Sequence, residues 1–112
     1  MKIAIPVENG QLCTHFGHCR EFAIYEADRG TRQVRAKTIH PAPPHEPGVL
    51  PRWLHGLGAE VIITGGMGQR ARQLFAENHV EVVLGAPPAA VDDVVAAYLA
   101  GTLQSGANPC DH

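Results

Sequence analysis

Two stretches in the second half of the chain decide what it can fold into. Val61-Ile62-Ile63, and the run from Val80 to Leu84 interrupted by Glu81 alone, are apolar on successive residues and not on alternate ones. The first, continuous and not alternating, suits a central strand covered on both faces, and the second reads as another strand. Each is followed by a helical period. Residues 69–78 place Ala71, Leu74 and Phe75 on one side, and residues 89–99 place Val91, Val94, Val95 and Leu99 there. The second half therefore reads β-α-β-α, and such units close as right-handed crossovers around parallel strands.

The first half has another rhythm. Residues 2–7 alternate Ile3, Ile5 and Val7, and residues 21–27 set Phe22, Ile24 and Glu26 against Ala23 and Tyr25. Asp28-Arg29-Gly30 turns the chain into a third strand near residues 33–39, so the opening is a meander. Four prolines between residues 40 and 48 remove backbone donors and predict a loop. A helix over residues 49–57 follows, with Leu50, Trp53, Leu54 and Leu57 on one face and Pro51 tolerated in its first turn. Joined together, the halves predict an α/β fold with a mixed sheet and helices on both faces. Ligands of such sheets bind beyond the carboxyl ends of the parallel strands. Residues 1–103 are expected to form one domain, with residues 104–112 a flexible tail rich in glycine, serine and asparagine; 112 residues suit a single core.

Composition removes several classes of function. Net charge is −2, against a general nucleic-acid binder, and aromatic residues at 5% leave few platforms for base stacking. No apolar run approaches the ~20 residues needed to cross a bilayer, and residues 3–7 are too short for a signal peptide. The chain is thus expected in the cytoplasm, with its cysteines reduced. Three cysteines, an odd number, fit a disulfide framework poorly. Beside seven histidines they read better as metal ligands.

Four constellations can carry chemistry. Cys13, His15, His18 and Cys19 lie within seven residues of a loop, and thiolate and imidazole suit iron, zinc, copper and iron–sulfur chemistry. The plain alternative is two small buried cysteines with histidines at a wet surface. His45, with His40 and Glu46, sits in the proline-rich loop, where it can serve as a ligand or donate to a cluster sulfide, or simply be solvated. Gly65, Gly66, Met67 and Gly68 occupy a strand-to-helix turn whose open N–H groups, with Arg70 and Arg72 close by, suit an anion. No nucleotide motif is met there, and the glycines equally permit close packing of helix on strand. Cys110 and His112 close the chain and can fold over a metal, although chain ends are commonly disordered. His55 and His79 read as structural or exposed, and Trp53 as packing.

Catalytic arrangements are thin. Ser105, the chain's one serine, is in no nucleophile elbow, and Asp92 and Asp93 are adjacent on a helix and point apart. A Cys–His pair between Cys13 and Cys19 lacks a visible orienting group or oxyanion hole.

The residues also carry a likeness. His15-Phe16-Gly17, the run from Pro44 to Leu54, the run from Ile62 through Gly65-Gly66-Met67-Gly68 to Ala71, and the closing run from Tyr98 to Leu103 resemble the dinitrogenase iron–molybdenum cofactor biosynthesis family over nearly the whole chain. The resemblance implies a three-layer ribonuclease-H-like fold with a five-stranded mixed sheet. It also implies carriage of an anionic metal–sulfur cluster, iron–sulfur or molybdenum–iron–sulfur, without catalysis, received from and passed to partner proteins. Here His79 stands where the family pattern leads one to expect glycine. Set against the carrier are a mononuclear zinc or iron domain built on the Cys13–Cys19 loop and a metal-dependent phosphoester hydrolase, the latter disfavoured by the lack of paired carboxylates. No membrane or nucleic-acid partner is expected, and the chain is expected to be a monomer or a weak homodimer through an exposed strand edge.

Overall fold

The computed structural model describes residues 1–13, 19–44 and 48–103. At its centre lies β1 (Lys2–Glu8), a strand paired along both sides. On one side it runs antiparallel to β3 (Glu21–Ala27), Ile3 opposite Tyr25 and Ile5 opposite Ala23. On the other it runs parallel to β5 (Val61–Ile63), with Ala4 beside Ile62. Beyond β3 lies β4 (Val34–Pro41) and beyond β5 lies β6 (Glu81–Val83), giving the order β4-β3-β1-β5-β6. A two-residue strand, β2 (Gln11–Leu12), folds back on the end of β1. Asn9 and Gly10 both take positive φ, 53° and 80°, as the tightest hairpin turns require. The sheet is therefore mixed and six-stranded; β2 is too short to leave a periodic signal.

Alternation along β1 divides the interior in two. Ile3, Ile5 and Val7 face α3 (Val91–Ala100), where they meet Val91, Val94, Val95 and Leu99. Ala4 faces the other way, into a core of Phe22, Ile24, Ile62, Leu50 and Leu54 of α1 (Val49–Gly56), and Phe75 of α2 (Gln69–Glu77). Helices thus cover both faces, and Val61, Ile62 and Ile63 are all buried as their unbroken apolar run requires. Trp53 fulfils its packing role with its ring edge-to-face against Phe22, centroids 5.7 Å apart. Among the described residues no helix is long and apolar enough to cross a membrane.

The meander's last strand departs from the sequence reading. β4 continues through His40 to Pro41, opposite Glu21, where a loop is expected from residue 40. It is the outermost strand, so a proline at its end gives up no donor that the sheet needs. Polar side chains tie this margin down. The Tyr25 hydroxyl, on a ring only 2% exposed, donates to Asp92 Oδ1 at 2.5 Å, and Lys37 Nζ reaches the same oxygen at 3.0 Å. One carboxylate thereby joins β3, β4 and the first turn of α3.

These features make two expectations. The Tyr25 hydroxyl foremost, then Lys37, holds the Asp92 carboxyl below the usual carboxylate range. A lowered folded-state value stabilises the fold above the ordinary value and is lost as pH falls through the lowered one. Asp92→Asn is therefore expected to lower the urea midpoint at neutral pH, with the gap to the parent chain closing below roughly pH 4. The second concerns backbone sign. His79 and Gly85 both take positive φ, 60° and 76°, which costs a residue bearing a Cβ about 1–2 kcal/mol. His79→Gly is expected to stabilise the chain by about 1 kcal/mol and Gly85→Ala to destabilise it by at least as much, read from urea unfolding with unchanged slope.

Candidate functional site

The parallel strands β1, β5 and β6 end at one margin of the sheet, and four segments gather there. Cys13 is fixed by its N–H, which donates to the Pro6 carbonyl at 2.9 Å. Cys19 lies just before β3, whose first residue, Glu21, pairs with Val7. The N–H of Ala42, just past β4, donates to the Arg20 carbonyl at 2.7 Å and leads the chain toward the start of α1. The Gly65–Gly68 turn leaves β5, and its Gly65 carbonyl accepts the N–H of Gly85 at 3.0 Å. With β1 and β5 parallel and Ala4 beside Ile62, the glycine turn leaves β5 at the same end at which β1 passes Pro6. Cys13, Cys19 and the glycine turn therefore lie at one end of the molecule.

Within the turn the residues divide by role. Gly65 and Gly66 are buried, and Thr64, fully buried, donates its hydroxyl to the Gly66 carbonyl at 3.4 Å. Met67 is 1% exposed and its side chain belongs to the core beside Phe75 and Leu54. Gly68 caps α2 in an extended conformation and is exposed; a Cβ built there would meet nothing within 4 Å. Arg70, in the first turn of α2, is exposed.

Two further arginines stand at this end, and sequence reasoning passed them over. Arg20 is exposed beside Cys19, and Arg52 is exposed in the first turn of α1, its Nε donating to the Gly48 carbonyl at 3.2 Å. Helix starts favour acids and side-chain caps, because unpaired N–H groups leave a partial positive charge there. Neither α1 nor α2 follows that rule: both are capped by glycine, Gly48 and Gly68, with no side-chain cap and no acid in the first turn. In contrast α3 carries Asp92 and Asp93 in its first turn. The starts of α1 and α2 therefore each combine unpaired backbone N–H groups with an arginine, while the exposed acids of this margin, Glu8 and Glu21, lie on β1 and β3. An arginine in the opening turn of a predicted helix was the available signal.

The cysteines bring a correction. Cys13 and Cys19 form a disulfide with Cα atoms 6.1 Å apart, where reduced thiols are expected from the odd count. The count misleads because it includes Cys110, nearly a hundred residues away in sequence. As a disulfide the two sulfurs are not thiolate ligands. His15, His18, His45, Cys110 and His112 lie outside the described residues. Among the described residues no three His, Cys, Asp or Glu side chains come together to hold a metal ion. A groove of about 690 Å³ runs between α2 and β6, from Gln69 at the start of the helix and Leu84 past the end of the strand to Ala76 and Val80. Another, of about 240 Å³, lies beneath β4 against Leu57.

Comparison with known proteins agrees with the architecture. A crystal structure of the protein PH0822 superposes with a TM-score of 0.86 at 30% identity, over 94% of each chain. The apo form of the orange protein from Desulfovibrio gigas superposes with a TM-score of 0.76 at 24% identity, over 96% of this chain and 94% of its own, a likeness of fold. In sequence, MJ0580 of Methanocaldococcus jannaschii is 26% identical over 107 residues, which is 93% of this chain and 90% of that protein. Residues 1–101 match the family described as dinitrogenase iron–molybdenum cofactor, and the chain belongs to that family.

Proposed function

We propose that the chain is a carrier or scaffold that receives, holds and hands on an anionic metal–sulfur cluster, with no catalytic step of its own. The arrangement of sheet and helices is read in the same spirit as ribonuclease-H-like, and the working compartment as the cytoplasm. The observation that supports the reading best is the pair of glycine-capped helix starts, α1 and α2, which bring Arg52 and Arg70 where acids are normally placed. A cluster bearing several negative charges gains from converging N–H groups and guanidinium ions, and from a backbone bare enough to be approached closely. Gly68 supplies the bare backbone.

The same features count against the hydrolase. A metal-assisted hydrolysis needs carboxylates that hold a cation and activate water, and Asp92 is committed to Tyr25 and Lys37. Two such helix starts also suit a polyanion better than a bare zinc or iron ion. Transfer through donor and acceptor proteins follows from an exposed binding end, since a cargo held at a surface can pass from one protein to another by direct contact. Membership of the family supports a metal–sulfur cargo.

Anaerobic loading with tetrathiomolybdate, or reconstitution with iron and sulfide, is expected to leave bound metal and visible absorption after gel filtration. Arg52→Glu with Arg70→Glu is expected to weaken tetrathiomolybdate binding by at least tenfold. Gly68→Asp is expected to do the same while leaving the helix start intact, because aspartate is itself a good cap. Circular dichroism melts unchanged from the parent chain separate a lost site from a lost fold. Undiminished loading of the charge-reversed chain, or a parent chain that stays colourless and metal-free, sinks the reading.

A further inference from the structure

Among the described residues the sheet has two open margins, β4 and β6, and they are built differently. Along β4 the margin is guarded: the strand carries Lys37, ends in Pro41, and slips in register against β3 at a bulge between Glu26 and Ala27. Lysine, proline and a bulge are the devices that keep an edge from pairing with another chain. β6 has neither lysine nor proline, and its pairing with β5 runs in one register throughout. Its backbone groups can be followed one by one. The N–H of Glu81 donates to the Glu60 carbonyl, and the Val83 carbonyl accepts the N–H of Thr64, so Glu81 and Val83 face β5. Val82, between them, turns its N–H and C=O to the open side. Over this margin lies α2. Gln69, Arg72, Gln73 and Ala76, one stripe of the helix, line the groove of about 690 Å³ together with Val80, Val82 and Leu84. Phe75 alone among the residues of α2 is buried, and Val82 and Leu84 are only half-buried. The sheet stops one strand short of the helix above it.

We propose that this groove is an interface with a second copy of the chain, the two β6 strands pairing antiparallel about a two-fold axis perpendicular to the sheet. Such an axis requires a surface that complements itself. Three features here do. Val82 offers one donor and one acceptor, so it can exchange both bonds with a strand like its own. Gln69 and Gln73 carry amides that both donate and accept, so their stripe can bond to its own image. The third feature is charge. Arg72 stands in the first half of α2, whereas the last turn ends in Glu77 and holds no basic residue. The helix's terminal carbonyls add to the negative charge at that end. Reversing one α2 against its copy sets each Arg72 toward the other's negative end, twice over. A partner of uniform charge would match only half of this pattern. Three paired residues hold little by themselves, so the association is weak and draws on the groove as much as on the strand. The two carboxyl ends then point in opposite directions, and the interface does not depend on what the chain carries there.

Sedimentation equilibrium of the full chain, from micromolar to millimolar concentration, tests the proposal. The apparent mass is expected to climb from 12.0 kDa toward twice that value. Gln73 is exposed and lies midway along the stripe, where the axis brings it beside its own copy. Gln73→Glu and Gln73→Lys each place like charges across the axis, and each is expected to weaken association at least tenfold. An equal mixture of the two variants is expected to recover it, because opposite charges then meet. Circular dichroism melts matching the parent chain's show that both variants fold. Ile39→Lys, at an exposed position on β4, is expected to leave association unchanged. A chain monomeric at every concentration, a mixture no more associated than its separate parts, or a dimer broken by Ile39→Lys overturns the proposal. Each of these results leaves tetrathiomolybdate loading untouched, since that is read from bound metal and not from mass.

Discussion

The structure depends on the placing of β1. It is the strand at which the sheet changes direction, antiparallel toward β3 and parallel toward β5, and its alternate side chains seed both cores. A proline in such a strand ordinarily breaks a ladder. Pro6 escapes because its carbonyl points toward the β2 side, where it accepts the N–H of Cys13. The N and C=O of one residue in a strand point the same way, so the missing donor also lies on that side. There β5 pairing has been recorded only as far as Ala4, and β2 pairing resumes at Val7. The proline occupies the interval between two partners. The strand can thus exchange one neighbour for another without an orphaned N–H, and that exchange opens the carboxyl end where the cysteine loop begins.

Much of this was legible in the residues. The unbroken run Val61-Ile62-Ile63 marked the interior strand β5, whereas the run at residues 80–84 became the half-buried edge strand β6. The 3-4-7 spacing of Leu50, Trp53, Leu54 and Leu57 marked α1, because burial imposes that period whatever the fold. What escaped had no period to impose. β2 has two residues and is held by its partners, Val7 and Glu8, and by the approach of residue 90 to Gln11. The extension of β4 to Pro41 was hidden because proline forbids only the bonds of an inner strand. His79 shows the opposite case: its departure from the expected glycine did foretell an unusual backbone, and the positive φ is retained at a cost.

The candidate site's residues fared differently one by one. Glycine at residues 65–68 pointed to close approach, and two of those glycines are indeed buried in the turn. Met67 looked like part of the same cradle, yet its side chain completes the core beneath it, since a turn that enters a helix must also bury something under that helix. Cys13 and Cys19 were read as ligands because they flank two histidines. Their disulfide is a relation between strand ends that only the pairing of β1 with β3 brings within 6.1 Å, and spacing along the chain does not report it.

The places where local rules are broken are the informative ones. A chain able to set Asp92 and Asp93 at the start of α3, and to use Asp92 to bind three elements together, had the means to neutralise its other helix starts in the same way. It leaves α1 and α2 capped by glycine and adds arginine to each first turn. Each substitution of this kind forgoes a few tenths to about 1 kcal/mol of helix stability. Sequences are otherwise consistent from propensity to packing, so a repeated sacrifice at one end of the molecule is expected at a functional site, and the proposed anionic cargo accounts for it. Two helices making it together, beside a buried cysteine pair at the carboxyl end of the parallel strands, argue for an anionic guest more strongly than any one residue among them.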